Sequence, residues 1–364
     1  MRILIAGGGT AGHVTPAVAV AEELGSDDVL FVGTKAGVEA RMVPARGIPL
    51  ETIDVTGFDR ARPHSVVTAG ARALSATGRL RVLVKRFRPH AVLGMGGYVS
   101  FPACAAARSC GVPVVLHEQN IVLGLANRVL KPLAQRVAVS FRETLAMTGR
   151  KGVYTGNPVR RSLVEADLRA LRPEARARFG LDLGRKTLLV FGGSQGAASV
   201  NEAALGLGVE WEGRTDLQVL HVAGTVHWPE LSRCAARADG DGLVYRIVEY
   251  VQDMEAAYAA SDLALCRGGA STVAELTVVG LPSIVVPYPH HRDRQQERHA
   301  RVLQQAGAAA VLLDSEVTAR RVASLASEIL LDDHRLDAMR RSGRTLGRPD
   351  AAARVASVLR EVAA

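Results

Sequence analysis

Aromatic residues make up only 4 % of this 364-residue sequence. So few rings argue against the stacking platforms that hold single-stranded nucleic acid. Cysteine is sparse as well. The four present, Cys104, Cys110, Cys234 and Cys266, are scattered without metal-ligand spacing. That suits a reducing cytoplasm and small buried apolar roles. No apolar run is long enough to span a bilayer. The opening residues, Met1 to Gly7, lack the basic start, long apolar stretch and cleavage site of a secretory signal, and read as a first strand. No Asp-x-Asp-type pair stands at a strand end, so no obligatory divalent ion or other cofactor is implied.

What is present is an Arg-rich chain with formal net charge +9 at pH 7. Such a balance favours anionic partners: nucleic acid, acidic lipid head groups or phosphorylated substrates. A general bias toward Arg would produce the same number. Hydrophobic residues at 48 % and charged residues at 22 % describe a globular protein with sizeable cores, long enough for two domains.

Short apolar strands alternate with helical stretches throughout, which predicts parallel sheets covered by helices. Six strands are expected in each half. The expected class is α/β, with two doubly wound Rossmann-like domains facing across a cleft. The boundaries read as residues 1–160 and 161–345. A linker falls at Gly156-Asn157-Pro158-Val159-Arg160, because Pro158 pushes its predecessor out of helix, and a charged segment from Glu165 to Arg178 follows. Residues 349–364 read as an amphipathic helix with Val355, Val358, Leu359 and Val362 as its stripe, expected to pack back on the first domain.

Three glycine turns follow strands: Gly7 to Gly12, Gly94 to Gly97, and Gly192 to Gly196. Gly allows positive φ and close approach of the backbone to a ligand, although any one such turn can be a plain tight connection. Gly7, Gly9 and Gly12 formally satisfy the dinucleotide pattern G-x-G-x-x-G. A nicotinamide site also wants an acid at the end of the second strand. Here that strand ends in Gly33-Thr34-Lys35, with no acid until Glu39.

The stretch from Cys266 to Ala300 has the most definite chemistry. An apolar strand runs into Gly268-Gly269, and a helix starts at Ala270-Ser271-Thr272, with Glu275 one turn in. Unpaired N–H groups at a helix start favour phosphate. A carboxylate repels phosphate but accepts from sugar hydroxyls. Together they suggest a nucleotide or nucleotide-sugar. Gln295 and Gln296, which hydrogen-bond neutral hydroxyls, fit the sugar, though an exposed helix start would look the same. His117-Glu118-Gln119-Asn120 ends a buried strand, where polar groups need partners or a ligand. Asn120 is the best contact of the four. His13 is the imidazole at the end of the first strand, where a general base would act. Tyr98 presents its hydroxyl or packs. His290, His291 and Asp293 fit no helix face and read as a solvated turn.

GGGTAGHVTPA, GMGGYVSFPA, HEQN, GNPVR, GGSQGA and CRGGASTVAELTVVGLPSIVVPYPHHRDRQQ resemble the MurG family of GT-B glycosyltransferases, over essentially the whole chain. The resemblance implies a hexosyltransferase of peptidoglycan and cell-wall synthesis. It moves N-acetylglucosamine from UDP-N-acetylglucosamine to the 4-hydroxyl of the muramoyl sugar of lipid I, inverting the anomeric centre and giving lipid II. It places Thr10, Ala11, Gly12, Asn120, Arg160 and Ser194 on the donor, with Val251 at the uracil. Ala270, Ser271, Thr272, Val273, Ala274 and Glu275 take diphosphate and ribose, and Gln295 and Gln296 the sugar. Gly96, Gly97 and Tyr98 fall on the acceptor side with His13, the inferred base. No metal site is implied. Ala11, Leu123 and His299 depart from the family's usual Gly, Pro and Asn.

A lipid-linked acceptor implies a peripheral protein on the cytoplasmic face of the plasma (inner) membrane. Val66 to Arg88 mixes Leu74, Leu80, Val84 and Phe87 with Arg72, Arg79, Arg81, Lys85, Arg86 and Arg88, a pattern suited to an anionic membrane surface or to an ordinary surface helix. Expected partners are the two substrates, that surface, and cell-wall and division proteins, but no nucleic acid. Two other readings remain open at this point. One is a related transferase for another lipid or a secondary metabolite. The other is a non-catalytic nucleotide-sugar scaffold, which the presence of His13, Glu275 and both Gln residues disfavours.

Overall fold

Seven short strands of the first half pair side by side, all parallel, in the computed structural model. The structure describes residues 1–25, 27–56, 63–233, 242–290 and 293–364, with backbone alone over 63–71. The strands are β1 (Arg2–Ala6), β2 (Asp28–Gly33), β3 (Leu50–Thr52), β4 (Ala91–Gly94), β5 (Val114–Glu118), β6 (Arg136–Val139) and β7 (Gly152–Tyr154). Their order is β3-β2-β1-β4-β5-β6-β7. The second half holds β8 (Lys186–Phe191), β9 (Leu217–Val222), β10 (Val244–Val248), β11 (Leu263–Cys266), β12 (Ser283–Val285) and β13 (Ala309–Val311), ordered β10-β9-β8-β11-β12-β13. β7 is one strand more than the sequence predicts. It is three half-buried residues at a sheet edge, too short to show a period.

Both sheets reverse their strand order beside their first strand. β1 pairs with β2 through Ala6↔Val32 and with β4 through Ala6↔Gly94. β8 likewise sits between β9 and β11. At such a reversal the connecting helices leave in opposite directions and a crevice opens outside the carboxyl ends of the strands. The glycine turns fall at these points, after β1 and β4 in one sheet and after β8 and β11 in the other.

The chain divides into two units, Met1–Arg161 with Arg348–Ala364, and Ser162–Gly347. In the first, β1 is buried on both faces, so it reads as an unbroken apolar run. Ile3 and Ile5 join one core with Val18, Val355 and Leu359. Leu4 and Ala6, facing the other way, join a second core with Leu80, Val84 and Ala103. The C-terminal helix, Ala351–Ala363, thus covers the same face as the helix Ala11–Leu24. Asp27 ties both chain ends to that face, accepting from the Met1 amino group at 2.7 Å and from Arg360 at 3.3 Å.

The charged segment after the linker is a packed part of the second unit. Asp167 caps the helix Leu168–Arg178 by accepting from the N–H groups of Arg169 and Ala170. Arg172 and Arg176 both reach the Asp262 carboxylate, at 2.6 and 3.0 Å. Arg176 is fully buried, and it also donates to the carbonyls of Ala260, Asp182 and Leu183 and to Thr187 Oγ1. A guanidinium can be buried only when its donors are met, and composition does not reveal those partners.

The basic amphipathic stretch forms the helix Pro63–Phe87. Leu80 and Val84 are buried, so these two of the four apolar residues named above belong to the core. The outward face carries Leu74 and Val82 with Arg79, Arg81, Lys85 and Arg86, all exposed. The side chains of 66–71 lie outside the described residues. No helix among the described residues is long and apolar enough to cross a membrane. Leu359→Ala should destabilise the first unit by about 2–5 kcal/mol, since Leu359 is fully buried; denaturant unfolding followed by tryptophan-independent far-UV dichroism checks this, and an unshifted transition would contradict it.

Candidate active site

In the first unit the site is built from the turns after β1 and β4. Gly9 has φ +89°, and the helix Ala11–Leu24 starts after Thr10, whose backbone is extended. This puts His13 in the first helical turn, with Nδ1 2.9 Å from Thr10 Oγ1. Gly96 and Gly97, at φ +84° and +72°, bring the second turn against it. A Cβ on Gly96 would stand 3.4 Å from His13 Nε2, and one on Gly9 would stand 3.1 Å from the Tyr98 ring. His13, Gly96, Gly97 and Tyr98 are therefore neighbours; a Cβ on Gly9 would crowd the Tyr98 ring, and the positive φ of Gly96 and Gly97 calls for glycine there. Burial pushes the His13 pKa below the ordinary imidazole value, a pull that Glu39 partly opposes. The ring is thus neutral at pH 7 and able to accept a proton.

The HEQN stretch is largely a structural network. His117 Nε2 donates to Gly156 O at 3.3 Å, which leaves Nδ1 to accept from Gln119 Nε2 at 3.1 Å. Burial depresses the His117 pKa to about 4, so this tautomer stays neutral. Gln119 also donates to Met95 O, tying the ends of β5 and β4 together. Glu118, buried and with its pKa raised by that burial, accepts from Gly124 N and Asn127 Nδ2, each at 2.8 Å. The Asn120 side chain, singled out above as a ligand contact, donates to Glu118 Oε1 at 3.1 Å, so its carbonyl end is the one left outward. Thr10 and Gly12 are exposed, and Ala11 and Arg160 are half-buried.

In the second unit the turns after β8 and β11 do the same work. Gly193 and Gly196 have φ near +90°, at +91° and +87°, and a Cβ on Gly196 would lie 2.2 Å from Ala223 O. Ser194 is exposed, and its carbonyl accepts from Thr225 N at 3.2 Å. The helix Ala270–Val279 begins after Gly269, and no side chain among the described residues caps it. Its earliest backbone bond is Val273 N to Gly269 O. Ser271 Oγ is buried and has no hydrogen-bond partner among the described residues. Open N–H groups and an orphaned hydroxyl at one helix start have the chemistry that suits an anion. Thr272 and Ala274 are half-buried, Val273 faces the core, and Val251 is buried. Glu275 accepts from Tyr258 OH at 2.7 Å, which fixes its carboxylate one turn below the anion site.

The structure refines the reading of Gln296 and Gln295. Gln296 Oε1 accepts from Gly268 N and Tyr288 N, at 3.1 and 3.0 Å, so its carbonyl braces the turn and only its amide nitrogen can face a ligand. Gln295 is buried rather than an exposed helix start. His299 is buried, and its Nδ1 donates to Gly268 O at 2.9 Å. The His that departs from the family pattern is thus a brace for the same glycine. His290 is exposed and edge-on to Tyr288 at 5.4 Å, while Cys234 and His291 lie outside the described residues. No cluster of three or more His, Cys, Asp or Glu suited to a metal ion occurs among the described residues.

Residues 3–139 match the glycosyltransferase family 28 N-terminal domain, and residues 187–355 its C-terminal domain. The chain belongs to glycosyltransferase family 28. Within that family it is similar to UDP-N-acetylglucosamine--N-acetylmuramyl-(pentapeptide) pyrophosphoryl-undecaprenol N-acetylglucosamine transferases. The protein of that name from Halothermothrix orenii is 37 % identical over 96 % of this chain and 95 % of its own. That from Listeria monocytogenes is 38 % identical over 98 % of both chains. The crystal structure of Acinetobacter baumannii MurG superposes with a TM-score of 0.77 at 28 % identity, covering 99 % of each chain. The family 28 fold is thus the GT-B plan of two Rossmann-like units with parallel sheets.

For this family 28 chain, sequence reasoning passed over Tyr258, Asn127 and Glu39. Tyr258 lies 17 positions from Glu275 and carries no motif. Glu39 had one signal, an acid shortly after the second strand, but it was weighed only for nicotinamide binding. The depressed His13 pKa makes a direct prediction. In a proton NMR titration its Cε1–H signal should move with a midpoint below about 6.5; a midpoint at or above that value would show that burial does not dominate.

Proposed function

We propose that this chain transfers N-acetylglucosamine from UDP-N-acetylglucosamine to the 4-hydroxyl of the muramoyl sugar of lipid I, giving lipid II with inversion at the anomeric carbon. The observation that carries this reading is similarity at 37 and 38 % identity, across nearly the full length of both chains, to proteins named for that transfer. The two crevice sites supply the chemistry it needs.

Inversion requires in-line displacement. The acceptor oxygen bonds to the anomeric carbon as the bond to the UDP oxygen breaks, and the hydroxyl proton leaves to a base. His13 is that base. In the tautomer whose Nδ1–H donates to Thr10 Oγ1, Nε2 is the acceptor, beside Gly96 and Gly97, with Tyr98 lining the acceptor side. Negative charge develops on the departing UDP. The N–H groups of Ala270, Ser271 and Thr272, the Ser271 hydroxyl and the Ser194 turn stabilise it, and Arg160 adds a cation. Thr10, Ala11 and Gly12 meet the donor from the first unit with Asn120. Val251 reads the uracil through its backbone, and Val273 and Ala274 shape the turn that carries Glu275. Glu275 takes the ribose hydroxyls, held in place by Tyr258. Gln295, and Gln296 through its amide nitrogen, take the sugar.

The first unit, residues 1–161 with 348–364, is the acceptor side, and residues 162–347 the donor side. The exposed face with Leu74, Val82, Arg79, Arg81, Lys85 and Arg86 rests on anionic lipid. That makes the protein peripheral on the cytoplasmic face of the plasma membrane, within reach of cell-wall and division proteins.

Turnover of UDP-N-acetylglucosamine with a lipid I analogue tests the reaction. Tight UDP binding with no transfer to that acceptor would overturn it in favour of another acceptor. His13→Ala should lower kcat by about 10²–10⁴-fold with the donor KM nearly unchanged, and Glu275→Ala should raise the donor KM about 10-fold; an unchanged kcat in the first, or an unchanged KM in the second, would remove that role. Cosedimentation with anionic vesicles should be strong at low salt and lost when Arg79, Arg81, Lys85 and Arg86 become Glu, at about 1 kcal/mol per charge. Equal binding by that variant would rule the face out.

A further inference from the structure

Three glycines from three segments make room for one carboxylate. A Cβ on Gly8 would lie 2.4 Å from Glu39 Oε1, one on Gly37 would lie 2.1 Å from Oε2, and one on Gly33 would lie 2.4 Å from Cγ. Glu39 is completely buried in the short helix Glu39–Met42. Its Oε1 accepts from Thr34 N at 2.8 Å and Thr34 Oγ1 at 2.7 Å, and its Oε2 accepts from Gly9 N at 3.1 Å. Among the described residues it has no ion pair, although an isolated buried anion is costly. A fold that spends three glycines and an unpaired charge on one position is not simply filling space.

The position explains the charge. Gly9 immediately precedes Thr10, whose hydroxyl meets His13 Nδ1 at 2.9 Å. The titratable groups around His13 are Glu39, Tyr98 and His117. His117 is held neutral by its buried network. Glu118, farther along β5, is already bound by Asn120, Gly124 and Asn127. Glu39, hydrogen-bonded to Gly9 N in the turn that leads to His13, is therefore the anion that acts on the ring. Burial favours neutral His13 before reaction, but accepting a proton creates an imidazolium in that same partly buried site. A fixed negative charge stabilises this state without reorganisation.

We propose that Glu39 is a positioning residue for the transfer: it pins the glycine turn that orients His13 and supplies the countercharge for the imidazolium formed as the acceptor hydroxyl is deprotonated. This rests on the reading of His13 as the base. The phosphate and ribose contacts proposed for the second unit do not depend on Glu39, since the hydrogen bonds it accepts all come from the first unit.

The test compares Glu39→Gln and Glu39→Asp with the unmodified protein. His13 is titrated by NMR, donor affinity is measured by calorimetry with UDP, and kcat/KM is followed against pH. In Glu39→Gln the His13 midpoint should fall by roughly one pH unit, and kcat should fall roughly 10-fold or more. The acid limb of kcat/KM should move to lower pH, and UDP affinity should hold within about 3-fold. Glu39→Asp keeps the charge and should keep the His13 midpoint near its original value even if its shorter reach lowers kcat. A His13 midpoint unmoved in Glu39→Gln would overturn the proposal, as would a fall in kcat with no change in the pH profile. If Glu39→Gln fails to fold, an Asp variant that folds but has lost the midpoint overturns it equally. Failure of the base reading is seen separately, as full activity in His13→Ala.

Discussion

Both candidate sites depend on backbone approaching backbone, or a side chain approaching backbone, with no Cβ in between. A Cβ on Gly224 would lie 2.2 Å from Gly196 N, and one on Gly192 would lie 2.4 Å from Ala197 N. A Cβ on Gly268 would lie 2.7 Å from Gln296 O. In the first unit the same exclusion lets Glu39 reach the turn after β1. Glycine costs conformational entropy, so the turns hold their shape only through what surrounds them. Hydrogen bonds donated by Thr225 and His299 and accepted by Gln296 and Glu39 provide this support.

These braces divide the polar residues into two kinds. One kind is available to a ligand: the Ser271 hydroxyl, the helix N–H groups beside it, and a ring nitrogen of His13. The other kind holds the first in place. His221 shows the second clearly. It donates through Nε2 to Asn201 Oδ1 and accepts from Tyr245 OH, while Asn201 Nδ2 donates to Ala223 O, the carbonyl against which Gly196 packs. Burial lowers the His221 pKa to about 4, so this brace is a neutral, fully satisfied chain. Pre-organisation of this kind lets a backbone anion site work without rearrangement during reaction.

Much of the fold is legible before any coordinates. Parallel strands buried on both faces must read as continuous apolar runs, and a helix between each pair is the short way back. Thus the six strands expected in each half are present, with β7 added in the first. β7 escaped because an edge strand of three half-buried residues has no period to detect. The Glu165–Arg178 segment escaped for a different reason. Its helix is stabilised by burying Arg176 against Asp262, 86 positions away, and a charge pattern cannot say which charges find partners.

The site shows the same division. Sequence by itself determined the glycine turns, the helix start at Ala270, and the residue types that can act as base, anion cradle and hydroxyl acceptor, because these are properties of local chain geometry and side-chain chemistry. Tertiary structure decided which of them are free to act. It turned the Gln296 carbonyl and His299 into supports for Gly268, committed most of HEQN to an internal network, and set Tyr258 under Glu275. It also placed the Glu39 carboxylate behind the turn that carries His13. Such pairings depend on distances across strands far apart in the chain, and only the folded sheet sets those distances.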